Sequence, residues 1–208
     1  MKNNGLLVGL TGQTGAGKTT VSGYLSRLSY RVIDADVVAR NVVAGGGECI
    51  AELAKTFGEE ILLPDKTLDR RKMGDIIFAD KEKRILMGKI IFPYIQREIL
   101  SEVKRMRADG APIIFLDAPT LFESGLYTQC DKIVSVIAPE NTRLARIIAR
   151  DKLTKDRALA RIHAQHKDEF YIDRSDYVIS NHGELGELRE QLDVVIDKIE
   201  LANLEETQ

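Results

Sequence analysis

The chain has 208 residues, 44% of them hydrophobic and 30% charged, with a formal net charge of −2. That length and balance fit one α/β domain with an appended lobe, or two small lobes. The charge gives no electrostatic drive toward nucleic acid, and no apolar run approaches the length of a membrane span. Cys49 and Cys130 stand far apart without metal-ligand spacing, which reads as two free thiols in a reducing compartment. The opening Met1-Lys2-Asn3-Asn4-Gly5 leads straight into an apolar stretch and lacks the pattern of a secretory leader. A cytoplasmic protein is expected, with no nucleic-acid or membrane partner.

Leu6, Leu7, Val8, Gly9 and Leu10 read as a buried strand, and Val21, Tyr24, Leu25 and Leu28 have helical spacing. Between them Gly12, Gly17, Lys18 and Thr19 fit the pattern G-x-x-x-x-G-K-[ST], with Gly15 and Ala16 inside it and Thr20 following. A polyphosphate must be wrapped by backbone N–H groups, so glycine stands where a side chain would block the approach. The following helix adds its free N–H groups and partial positive charge. Lys18 can reach the β- and γ-phosphates, and the Thr19 hydroxyl can ligate Mg2+. The bland alternative is a glycine-rich turn with a chance lysine; the flanking strand and helix argue against it.

Tyr30-Arg31-Val32-Ile33 reads as a second strand, ending in Asp34-Ala35-Asp36. Strand ends of an open parallel sheet face the ligand crevice, so these acids are functional candidates. Asp36 also lies where it could cap the next helix. Ala44-Gly45-Gly46-Gly47 is a breaker, and from Glu48 to Arg107 only helical spacings follow. Ile50, Leu53, Ala54 and Phe57 form one apolar face, and Thr67 or Asp69 begins a helix holding Met73 and Ile76. A longer apolar pattern from Ile85 to Val103 is interrupted at Pro93, which predicts two tandem helices or one kinked at Phe92-Pro93. The insert is far longer than one crossover helix needs and suits a second substrate. Its Arg70 and Arg71 are candidate phosphate clamps, or part of a solvated helix face.

Pro112 to Asp117 is the third predicted strand, apolar and ending in an acid, as a phosphate-loop enzyme needs near Mg2+. Glu123 follows, either toward the crevice or as a surface acid. Lys132 to Ile137 is a fourth strand. Arg143, Arg146 and Arg150 then recur at helical spacing, followed by a second helix over 156–165 with Arg157 and Arg161. This basic pair of helices is either a lid reaching across a transferring phosphate or a surface paired with Asp151, Asp156 and Glu169. Tyr177-Val178-Ile179 is a short fifth strand, and Leu185 to Ile199 an amphipathic helix. His163, His166 and His182 lack metal-ligand company and read as surface or packing residues.

The expected fold is therefore α/β: a P-loop NTPase core with a five-stranded parallel sheet, a helical acceptor-binding insert and a short lid. The core spans 1–46 and 108–208, the lid about 140–166 within it, and the lobe 47–107. The chain has no D-x-x-G with N-K-x-D pair, as a GTPase switch would, and no L-S-G-G-Q of a transporter ATPase. A small-molecule kinase of the nucleoside-monophosphate-kinase type remains. A nucleotide-binding regulator without transferase activity is the alternative from another class.

Taken together, GLTGQTGAGKTT (Gly9 to Thr20), VIDADVVAR (Val32 to Arg40), LDR followed by IIF (Leu68 to Phe78), and FPYI (Phe92 to Ile95) resemble the dephospho-CoA kinase family. DAPTLFE (Asp117 to Glu123), Arg146 and Arg150 with Gln165, and SDYVISNHG (Ser175 to Gly183) extend the resemblance over nearly the whole chain. It implies ATP and dephospho-CoA as substrates, Mg2+ and phosphorylation of a ribose 3′-hydroxyl; apart from the resemblance, a monomer or small homo-oligomer is expected. Lys18, Asp36, Asp117 and Arg146 would then be catalytic, with Asp36 the base or orienter of the hydroxyl. Gly12, Gly15, Ala16, Gly17, Lys18, Thr19, Thr20 and Asn181 would bind ATP, and Asp36, Arg40, Arg70, Phe92 and Glu123 the acceptor. Thr19, with Asp117 as a second candidate, would hold Mg2+. The chain departs from the family where His-Pro is usual and Phe92-Pro93 stands, and where Gly-Ile is common and Gln13-Thr14 stands; Thr19 replaces a common serine.

Overall fold

All seven residues of the first strand, β1 (Leu6–Gly12), are buried, as happens when a parallel strand is covered on both faces. The structure is a computed structural model and describes residues 5–44 and 47–205. The opening tetrapeptide and Gly45 and Gly46 of the expected breaker lie outside the described residues. In chain order, β1 is followed by α1 (Lys18–Arg27), β2 (Arg31–Asp34), α2 (Ala35–Val42), α3 (Glu48–Phe57), α4 (Arg70–Ala79) and α5 (Lys81–Ala108). Then come β3 (Ile113–Asp117), β4 (Lys132–Ile137), α6 (Glu140–Asp151), α7 (Lys155–His163), α8 (Asp168–Ile172), β5 (Tyr177–Ser180) and α9 (Leu185–Glu205).

The sheet has five strands in the order β2-β3-β1-β4-β5. β1 lies parallel to both β3 and β4, and β4 parallel to β5. Parallel neighbours cannot be joined by a tight hairpin, and the chain returns through α-helices at every step except β3 to β4, where a loop with one short 3-10 turn makes the connection. The register sets Leu10 beside Asp117 and Gly12 beside Val136, so the segment after β1 emerges between the ends of β3 and β4. Ligand sites of open parallel sheets form at such strand ends.

Contacts divide the chain into two units, one running to Ile33 and resuming at Arg105, the other Asp34–Lys104. The sequence set the edges of the lobe at 47 and 107, whereas here α2 groups with the helical unit. In the first unit, Leu6, Val8 and Leu10 of β1 and Phe115 of β3 pack with Val21 and Leu25 of α1 and with Leu188, Leu192 and Ile199 of α9. Full burial of each such side chain stabilises the fold by about 1.5–3 kcal/mol. The spacing of Leu188, Leu192, Val195, Ile196 and Ile199 is what commits α9 to a helix with one buried face.

In the second unit, Asp34 caps α2 by accepting the Val37 N–H, and Asp69 caps α4 by accepting from Arg71 and Lys72. Asp80 accepts from Glu82 and Lys83 at the start of α5. α5 is a single 28-residue helix that carries Pro93 inside it, so the alternative of two tandem helices falls. A proline removes one backbone donor. The apolar positions Ile91, Ile95 and Ile99 stay buried on either side of it, and the helix is held by that face. Short 3-10 turns at Glu59–Ile61 and Leu126–Gln129 and the five-residue α8 were not expected from periodicity.

Candidate active site

The turn after β1 carries the site. Gly12 has φ +150 and Gly17 φ +106, conformations that side chains resist. A methyl group on Gly12 would strike the Val136 carbonyl, and one on Gly17 the Asn181 side-chain amide. Close approach of β4 and of the residue after β5 therefore requires glycine at both ends of the loop. Ala16 is buried, while Thr19 and Thr20 open to solvent in the first turn of α1.

α1 starts at the Gly17 cap with no side-chain capping bond and no acid in its first turn. Among the described residues, the N–H groups of Gly15, Gly17, Lys18 and Thr19 take no protein acceptor. Free donors at a helix N-terminus, with no neutralising carboxylate, are suited to an anion. These residues fit a polyphosphate.

The Lys18 ammonium forms an ion pair and hydrogen bond with Asp117 Oδ1. Both side chains are mostly buried, 15% and 9% exposed. The contact follows from topology: Asp117 ends β3, and β3 neighbours β1, whose loop delivers Lys18. A buried ion pair is costly to break by removing one partner.

The backbone carbonyls of the loop are held from the other side. Arg146 of α6 donates through Nη1 to the carbonyls of Gly15 and Ala16, each at 3.2 Å, and through Nη2 to Asn181 Oδ1 at 3.0 Å. Asn181 Nδ2 donates to the Ala16 carbonyl at 2.7 Å. The Gly15 and Ala16 carbonyls are thus satisfied by side chains. The sequence placed Arg146 and Asn181 near the nucleotide, but not this joint grip on the loop backbone.

The other arginines separate. Arg143, read as sharing one face with Arg146, is buried at 6% exposure and donates through Nε to the Ala138 carbonyl. Arg150 and Arg161 both meet Asp151, one of the surface pairings that the sequence left open. Arg150 holds the Asp151 carboxyl below its ordinary range through a direct hydrogen bond. Glu123 is exposed, with His166 Nε2 at 3.8 Å from its Oε1. The His166 ring stacks on Phe170 at 3.7 Å.

In the helical unit, Asp36 is an exposed residue in the first turn of α2 and does not cap it, since Asp34 does. Arg40 stands one turn further on, and Arg70 Nη2 donates to the Arg40 carbonyl at 3.2 Å. The Arg70 guanidinium therefore reaches the Arg40 backbone, which their sequence separation did not show. Phe92 is 47% exposed on α5.

A five-stranded parallel sheet with β1 at its centre, a glycine loop feeding α1, and a lysine paired with the acid that ends β3 define a P-loop kinase fold. The sequence model that describes dephospho-CoA kinase matches residues 6–187. The dephospho-CoA kinase of Listeria innocua is 39% identical over 194 residues, covering 93% of this chain and 97% of that one. The chain belongs to the dephospho-CoA kinase family, kinases that transfer phosphate to an alcohol group of dephospho-CoA. Among solved structures, TT1252 from Thermus thermophilus superposes with a TM-score of 0.78 at 31% identity, over 93% of this chain and 97% of that one. The dephospho-CoA kinase from Campylobacter jejuni gives 0.72 at 27% identity, over 98% and 100%. Among the described residues, no helix is long and apolar enough to cross a membrane.

Proposed function

We propose that the chain transfers the γ-phosphoryl group of ATP to the ribose 3′-hydroxyl of dephospho-CoA, giving CoA and ADP. The observation that carries this reading is the loop of free N–H groups beside the Lys18–Asp117 pair, in a chain of this family. Gly12, Gly15, Ala16, Gly17 and Thr20 shape the phosphate cradle, and Lys18 exchanges its bond to Asp117 for the β- and γ-phosphates. Arg146 keeps the cradle in shape and adds positive charge beside it. Asn181 and its neighbours line the adenine. Thr19, with Asp117, would hold Mg2+, which supplies charge neutralisation at the phosphates. Such a site uses few protein ligands, and the exposed Thr19 beside the start of α1 fits it.

On the acceptor side, Asp36 orients the 3′-hydroxyl and takes its proton. The 3′-oxygen forms its bond to the γ-phosphorus while the bridging bond to the β-phosphate breaks. Arg40 and Arg70 bind acceptor phosphates as a pair, and Phe92 and Glu123 complete the acceptor contacts. The helical lobe over 47–107 receives the acceptor and the segment about 140–166 is the lid. The enzyme works in the cytoplasm as a monomer or small homo-oligomer, without a nucleic-acid partner.

The test is ADP release from ATP and Mg2+ with dephospho-CoA, adenosine monophosphate and other nucleoside monophosphates as acceptors. Dephospho-CoA should exceed the others by about a hundredfold or more in kcat/KM, since the lobe is built around one acceptor, and mass spectrometry should find the added phosphate on the ribose. Equal turnover of nucleoside monophosphates, or ATP binding with no transfer to any of them, overturns the reading.

A further inference from the structure

Two consecutive residues of the phosphate loop are held by the turn between α7 and α8. The Gln13 side chain, 2% exposed, donates from Nε2 to Asp168 Oδ1 at 2.7 Å and to the His166 carbonyl at 3.4 Å. The Thr14 N–H donates to Gln165 Oε1, also at 2.7 Å. We propose that Gln13 is a positioning residue for nucleotide binding, a clasp that fixes the tip of the phosphate loop to the Gln165–Asp168 turn.

The physics favours a clasp over simple space filling. The buried Gln13 amide leaves its Oε1 without a partner among the described residues, a cost that an apolar side chain filling the same space would not carry. What the amide adds is a hydrogen bond to an ionised carboxylate, the stronger kind. The loop it restrains is rich in glycine and has much conformational freedom to lose on binding a ligand. Fixing it beforehand lowers the cost of binding.

The turn is itself anchored. Phe170 is stacked by the His166 ring on one contact and by the Arg174 guanidinium, 4.3 Å from its centroid, on another. The Phe170 and Phe122 rings are nearly perpendicular, their centroids 5.4 Å apart. His166 also approaches Glu123, so one short turn touches both the phosphate loop and a residue assigned to the acceptor. The positioning role rests on the nucleotide reading above; the clasp itself does not.

The experiment compares Gln13→Ala, Asp168→Ala, the double variant and Asp168→Asn with the parent. Amide exchange at Thr14, followed by NMR, reports the clasp without any ligand, and calorimetric titration with a non-hydrolysable ATP analogue and Mg2+ reports positioning. Each alanine variant should lose about tenfold in Thr14 protection and bind the analogue about fivefold more weakly, with a melting temperature lowered by no more than about 6 °C. The double variant should be no worse than Gln13→Ala, which already removes the bonds to both Asp168 and the His166 carbonyl. Asp168→Asn, whose side-chain oxygen still accepts, should restore both readouts to within about threefold. Parent-like Thr14 exchange in the alanine variants overturns the clasp, and lost protection with parent-like affinity overturns its positioning role. A parent protein that binds no analogue overturns the nucleotide reading and the positioning role with it, while the exchange difference still decides the clasp.

Discussion

Lys18 and Asp117 are ion-paired at the ends of neighbouring strands, the lysine from the loop after β1 and the aspartate as the last residue of β3. The pair holds the ammonium at the end of β3 and keeps both charges compensated in a largely buried setting. The two residues should therefore fail differently. Lys18→Ala removes phosphate binding and leaves a buried carboxylate unpaired, so kcat/KM falls about a thousandfold and the protein is destabilised. Asp117→Asn keeps a polar partner for Lys18 and should retain ATP binding while lowering kcat about a hundredfold. Nucleotide titration beside steady-state kinetics checks both, and equal losses of ATP affinity would remove the distinction.

Asp34 and Asp36 end the same strand region but do different work. Asp34 caps α2, and Asp36 is exposed without a capping role. Asp34→Asn, which can still cap, should leave turnover near the parent value, and Asp34→Ala should cost about 1 kcal/mol of stability. Asp36→Asn should lower kcat about a hundredfold or more at unchanged melting temperature and ATP affinity. Near-normal turnover of Asp36→Asn would remove its role as base.

The sequence was legible where the information is local. A strand, a glycine turn and a helix are adjacent in the chain, so the phosphate loop needed no knowledge of distant contacts, and of the two starts that the sequence offered for α4, Thr67 and Asp69, Asp69 is the cap. Long-range pairings were not legible. Helical spacing put Arg143 and Arg146 on neighbouring positions, yet one is buried against Ala138 and the other grips the loop, a sorting made by β4 and β5. Nothing near Gln13 in sequence points to Asp168. Pro93 was ambiguous because a proline weakens a helix by an amount that a buried apolar face can offset. α8 and the 3-10 turns are too short to show a period.

Cys130 should behave as an inert thiol. Burial, with the neighbouring Asp131 charge adding to it, pushes its pKa up to about 12 from an ordinary value of 9.0. The folded state thus favours the neutral thiol, and this contribution to stability is complete below pH 9 and is lost as pH rises toward 12. At pH 8.5, a working condition set at about half a unit below the ordinary value, iodoacetamide should label Cys130 about a hundredfold more slowly in the native protein than in denaturant. Peptide mass spectrometry separates it from Cys49. Comparable native and denatured rates would contradict the assignment.

Gly17 unites the two demands on the loop. Its φ of +106 resists any side chain, and a methyl group there would meet the Asn181 amide, which is already committed to the Ala16 carbonyl and to Arg146. Gly17→Ala must therefore strain the backbone, at about 1–2 kcal/mol, and also push Asn181 away, which releases the grip on the loop. The strain alone should lower the melting temperature by about 3–6 °C. Displacement of Asn181 should in addition weaken ATP binding about tenfold, an effect that Asn181→Ala would reproduce without the strain and that Asn181→Ala combined with Gly17→Ala would not deepen. Melting curves and nucleotide titrations of the three variants separate the two costs. Full additivity in ATP affinity would show that Gly17 and Asn181 act on the loop independently.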